Sequence, residues 1–100
     1  MGAVLQFPRS RLRYRPEDIA LLSRLAGSWV VIRQGGSVEV GEPGGVVVVR
    51  KQHVLGVWGF ASGQYHFFPV CHGVRTLVAD SVEDAHDATV TLLGAESLGG

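Results

Sequence analysis

Apolar and polar positions change their spacing twice along the chain, and each change marks a new kind of element. From Pro16 onward Ile19, Leu22, Ala26 and Trp29, joined by Leu21 and Leu25, recur at helical intervals and form a wide apolar stripe. Proline suits the first helical position, where its missing N–H costs nothing, and Glu17 and Asp18 complement the positive end of the helix dipole. Gly27 is a natural stop, so the pattern predicts a helix over residues 16–26.

Beyond Gly27 the pattern turns to β-branched and aromatic runs separated by turn residues, which is the signature of strands. Residues 28–33, 37–40, 46–50, 54–60, 64–70 and 75–79 are the predicted strands. Gly35-Gly36, the stretch from Glu42 to Gly45, and Lys51-Gln52-His53 supply the first turns. Ala61-Ser62-Gly63 reads as a three-residue hairpin loop with its glycine at the position that wants positive φ. Helical spacing then returns. Asp80 with Glu83, or Ser81 with Asp84, has capping-box spacing, and Val82, Ala85, Ala88, Thr89 and Leu92 form a buried stripe up to Gly94.

The sum is an α+β fold of order α-β-β-β-β-β-α. An antiparallel meander of five to six strands lies between an N-terminal and a C-terminal helix. One domain over residues 16–94 follows from the length, with a basic arm over 1–15 and a small polar tail over 95–100. Two helices cover one face of such a sheet. Trp58 and Phe60 share a face of their strand, as do Tyr65 and Phe67. Large apolar residues are therefore expected on the uncovered side, where a contiguous patch marks an interface.

Composition narrows the classes. Only 18% of residues are charged, which leaves little polar surface to hold copies apart and favours a homodimer. The single cysteine, Cys71, excludes an internal disulfide and fits a reducing, cytoplasmic setting. Arg9, Arg11, Arg13 and Arg15 interrupt any N-terminal apolar run, so no signal peptide is expected. No stretch approaches the roughly 18 uninterrupted apolar residues of a membrane span.

The net charge of zero conceals an asymmetry: +4 over residues 1–33 and −4 over residues 34–100. In an extended arm the four arginines at alternate positions share one face. They are suited to a protein partner with an acidic surface, or to nucleic-acid phosphates. The plain alternative is a solvated terminal strand that pairs with Glu17 and the acidic C-terminal helix. Overall neutrality counts against nucleic acid, since its binders are usually basic.

Other candidates for chemistry have ordinary readings beside them. His66, Cys71 and His72 carry ligand-type atoms, but zinc wants three or four converging groups, and no further ligands stand at a familiar spacing. Cys71 with His53 or His66 lacks any recognisable nucleophile turn. Gly35-Gly36 and Gly44-Gly45 lack phosphate-loop spacing. Gly56 and Gly59, flanking Trp58, mark either a bend in the sheet or a groove, and the bend is the simpler reading. Glu83, Asp84 and Asp87, with His86 beside them, read as a solvated helix face. No catalytic residue, metal or cofactor is assigned.

The sequence therefore points to a non-enzymatic module that binds another protein or a second copy of itself, acting as an inhibitor or regulatory subunit by surface occlusion. Arg9, Arg11, Arg13, Arg15, Trp58, Phe60 and Tyr65 are its expected partner-binding residues. The alternative is nucleic-acid binding through the arginine-rich arm, with Trp58 and Tyr65 stacking bases.

Overall fold

Pro16 opens the first helix, α1 (Pro16–Ala26), with Glu17 and Asp18 in its first turn and Arg24 in its last, both favourable to the dipole. The Asp18 carboxylate accepts the Arg15 backbone N–H at 3.4 Å, tying off the helix start. This is a computed structural model, and it describes residues 15–42, 44–70 and 76–99, without the side chains of 96–99. Arg9, Arg11 and Arg13, and likewise Cys71, His72 and Arg75, lie outside the described residues.

The predicted first strand at residues 28–33 is instead a short helix, α2 (Trp29–Arg33). Ser28 caps it, its Oγ accepting the Val31 N–H at 3.3 Å. Strand preference in Trp-Val-Val-Ile is worth only tenths of a kcal/mol per residue. A cap and the burial of Val31 against the body outweigh it. Gly35, at φ 79°, then turns the chain into the sheet, so the glycine pair joins a helix to a strand and is not a hairpin.

Five strands follow in a plain antiparallel meander, β1 (Gly36–Val40), β2 (Val46–Arg50), β3 (His53–Ala61), β4 (Gln64–Pro69) and β5 (Leu77–Ala79), neighbours in that order. The β3–β4 loop has two residues rather than three. Ser62 and Gly63 both take positive φ, and Ala61 pairs with Gln64. The register therefore sets Trp58 against Phe67 and Phe60 against Tyr65. The sequence reading of the loop is one residue off, and a one-residue slip exchanges the faces.

The last helix, α3 (Val82–Gly99), begins at Ser81, whose Oγ accepts the Asp84 N–H at 3.1 Å. It runs on through Gly94, where the sequence predicts a stop. Leu93, wholly buried, fixes this part of the helix. A Cβ at Gly94 would meet Gln34 at 3.4 Å, so the residue sits close against the end of α2.

All three helices lie on one face of the sheet. Leu21 and Leu25 of α1, Val31 of α2, and Ala85 and Leu93 of α3 close over Val46, Val48, Trp58, Tyr65, Phe67 and Ala79. Gly36 is required beneath this layer, since a Cβ there would come within 2.6 Å of Leu93 Cδ1. Among the described residues no helix is long and apolar enough to cross a membrane.

A register shift between Val48 and Val49, opposite Leu55, lies beside Gly56, whereas Gly59 pairs with His66 in regular register. A Cβ at Gly56 would run into the Phe67 ring and lie 2.6 Å from the Phe68 carbonyl oxygen, whereas at Gly59 the nearest atom is Phe68 Cε2 at 3.7 Å. Gly56→Ala is therefore expected to lower stability by about 2–3 kcal/mol, read as a reduced urea midpoint. Gly59→Ala is expected to stay within about 0.5 kcal/mol of wild type. Equal effects at the two positions would contradict the packing described here.

Candidate functional site

The sheet face opposite the helices is the candidate site. Strand alternation places Val47, Val57 and Phe68 there as successive cross-strand partners, with His66 and Val78 paired in the neighbouring row. Phe68 and Val78 are each 55% exposed, while Val47 and Val57 are half-buried. The His66 and Phe68 rings stack at 6.3 Å, giving the patch a flat aromatic part. Among the described residues no helix covers this face.

Its rim is formed where α1 begins. Arg15 reaches over the end of β3 and donates from Nη1 to the Phe60 carbonyl at 2.9 Å. A hollow of about 290 Å³ opens beneath it, lined in part by Gly45, Val57, Gly59, Phe60 and Phe68. The buried Asp18 carboxylate holds the back of this hollow by accepting the Gly45 N–H at 3.2 Å. A Cβ at Gly45 would lie 2.8 Å from the Trp58 carbonyl oxygen, so the loop must approach β3 without a side chain. The result is an apolar surface with the Arg15 cation at one border and the exposed Glu39, the cross-strand partner of Val47, at the β1 side.

Of the residues expected to bind a partner, Arg15 stands at this rim, with the Phe60 carbonyl beneath it, while the half-buried Phe60 side chain packs against the core on the helix-covered face. Arg9, Arg11 and Arg13 lie outside the described residues. Trp58 and Tyr65 are corrected: they are 1% and 3% exposed and belong to the core. Neither is presented for stacking a base or meeting a partner. Tyr65 instead donates its hydroxyl to the Glu17 carbonyl at 2.8 Å and packs edge-on to Phe60. Phe68 and Val78, neither of them among the expected partner-binding residues, are the ones exposed on the helix-free face, with Val57 half-buried beside Phe68. The two-residue positive-φ loop at Ser62-Gly63 is the signal that would have placed them.

A polar cluster joins α2 to α3. His86 Nδ1 donates to the Asp87 carboxylate at 3.0 Å, which leaves Nε2 to accept the Ser28 hydroxyl at 2.8 Å. The connectivity is that of a serine–histidine–aspartate relay, yet Ser28 is 4% exposed and its oxygen already accepts the Val31 N–H. The cluster acts as a buttressed helix cap. Glu83, His86 and Asp87 bring ligand-type atoms within 4.8 Å of one another. Both Glu83 oxygens are taken by Arg24, at 2.7 and 3.2 Å, and both His86 ring nitrogens are engaged. That hydrogen-bonded pair holds the Glu83 carboxyl below its usual range and raises the Arg24 guanidinium. His66, the described member of the other ligand-type group, donates from Nε2 to the Ala61 carbonyl at 3.2 Å.

No family model matches this chain, and neither a curated protein nor a solved structure matches it.

Burial pushes the Tyr65 phenol above its ordinary value, with smaller contributions from the charges of Glu17 and Asp18. The folded state thus prefers the neutral phenol. Its contribution is fully present below the unfolded value of about 10 and is lost as pH rises through the folded value. Stability is expected to fall in this alkaline window. In Tyr65→Phe that part of the loss should disappear, as read from urea midpoints over a pH series. An alkaline loss of the same size in the variant would contradict this placement.

Proposed function

We propose that this protein is a small, non-enzymatic, cytoplasmic binding module. It docks a protein partner on the helix-free face of its sheet and acts as an inhibitor or regulatory subunit by covering that partner's surface. The observation that carries this reading is the Val47–Val57–Phe68 row beside Val78, an apolar patch displayed on a rigid sheet and bordered by Arg15. Contiguous exposed apolar surface of this kind marks an interaction site. Interfaces combine an apolar centre with a polar rim that sets orientation and encounter rate. The fitting partner presents an apolar patch bordered by acidic side chains, which the basic N-terminal third of the chain also favours.

A photo-crosslinking residue placed at position 68 tests this in cells that express the protein. A discrete adduct with one other protein is expected at position 68, and none at the exposed control position Thr91 on α3. The additional change Val57→Asp should abolish it while leaving the far-UV spectrum unchanged. The same faint set of adducts at both positions would remove the reading.

A further inference from the structure

The sheet has a second surface feature, at its β1 edge. β1 pairs with β2 alone, and no described strand lies on its other side. Sheet edges of this kind are templates for another strand unless proline, a bulge or charge blocks them. β1 contains no proline, pairs with β2 without a register shift, and carries one charge, Glu39.

Its sequence is self-complementary. Antiparallel pairing with a second copy about a two-fold axis at Val38 sets Val38 against Val38, Gly36 against Val40, and Ser37 against Glu39 twice. No like charges face each other, and each Ser37 hydroxyl has a carboxylate to donate to. Moving the axis to Glu39 would oppose two carboxylates, so charge selects the register.

Helix α2 provides an independent observation. It packs on β1, α1 and α3, at this same end of the sheet. Yet it buries only Val31 and leaves Trp29 at 68%, Ile32 at 52% and Val30 at 43% exposed. An antiparallel edge pairing keeps both helix layers on one side, so the two α2 helices approach the axis. Beside Trp29, along the same helix and its C-terminal cap, lies a hollow of about 240 Å³ whose lining among the described residues is Val30, Arg33 and Gln34. An indole and a guanidinium-lined hollow are natural counterparts.

We propose that the chain forms a two-fold homodimer through the free edge of β1, with Trp29 of each copy seated against the Val30–Arg33–Gln34 hollow of the other. Ser37 and Glu39 point to the same face as Phe68 but at the β1 edge, three strands away, so the proposal does not depend on the proposed docking at Phe68.

Light scattering on eluting protein over a concentration series tests the proposal. Twice the chain mass of 10.7 kDa is expected for the wild type. Ser37→Glu opposes two pairs of carboxylates and should weaken association about tenfold, while Ser37→Lys should strengthen it in a salt-sensitive way. Trp29→Ala should also shift the population toward monomer. Phe68→Glu should leave the mass unchanged, and circular dichroism checks that each variant is folded. A monomeric wild type would overturn the proposal. A dimer indifferent to Ser37→Glu and Trp29→Ala, or one dissociated by Phe68→Glu alone, would do so equally.

Discussion

The seating of Trp58 beneath α3 is the interaction on which the arrangement depends. Its side chain is 1% exposed, lies across the sheet from Val46 and Phe67, and tilts against the Phe67 ring at 5.2 Å. An indole N–H cannot be buried there without a partner. Thr89 supplies one at 2.9 Å and donates its own hydroxyl to the Ala85 carbonyl at 2.8 Å. The bond ties α3 to the centre of the sheet in one orientation. It also decides which face the helices take. Once Trp58, Phe67 and Tyr65 are beneath them, alternation leaves Val57 and Phe68 on the other side.

The same core reaches the rim of the exposed face through Asp18. This carboxylate sits on α1, is buried, and accepts backbone N–H groups from Arg15 and from Gly45 in the loop between β1 and β2. Such charge-assisted bonds fix both segments. Arg15 is thereby aimed at the Phe60 carbonyl, and the Gly45 loop lies against β3. The cation at the border of the apolar patch is positioned by the interior of the protein.

Much of this was legible in the residues. Pro16, the acidic first turn and the apolar spacing define α1 to the residue, and the turn signals separate β1 to β5. Two misreadings had physical causes. The run Trp29-Val30-Val31-Ile32 has strand preference, but local preference is weak beside the Ser28 cap and the contacts of His86, which come from a residue 58 positions away. Reading Ala61 into the hairpin loop is one residue off, and the sequence reading left open whether the Trp58–Phe60 pair and the Tyr65–Phe67 pair share a face, which the observed register shows they do. Trp58 and Tyr65 were expected at the surface because the face taken by the helices was not fixed by the strand patterns, and the structure places both beneath the helices. Turn chemistry at Ser62, a non-glycine residue at φ 55°, was the deciding detail.

The two surfaces left by this design differ in what they can recognise. A sheet edge offers backbone hydrogen bonds, which any extended strand can meet, so its selectivity rests on the side chains at the edge and beside it. The single charge of β1 and the exposed Trp29 supply that selectivity, and both suit a copy of the same chain. A sheet face offers shape and apolar area with no backbone groups to share, so it selects by contour and by the charge at its border. Under the proposed edge pairing the two Phe68 faces lie on the same side of one continuous sheet. A partner with a repeated epitope is then held at two points with a raised effective concentration, and a single-site partner is held at one. Helices gathered on one face thus leave the opposite face, and the edge beside β1, without a helix or strand over them among the described residues, and it is there that the proposed partner and the proposed second copy would dock.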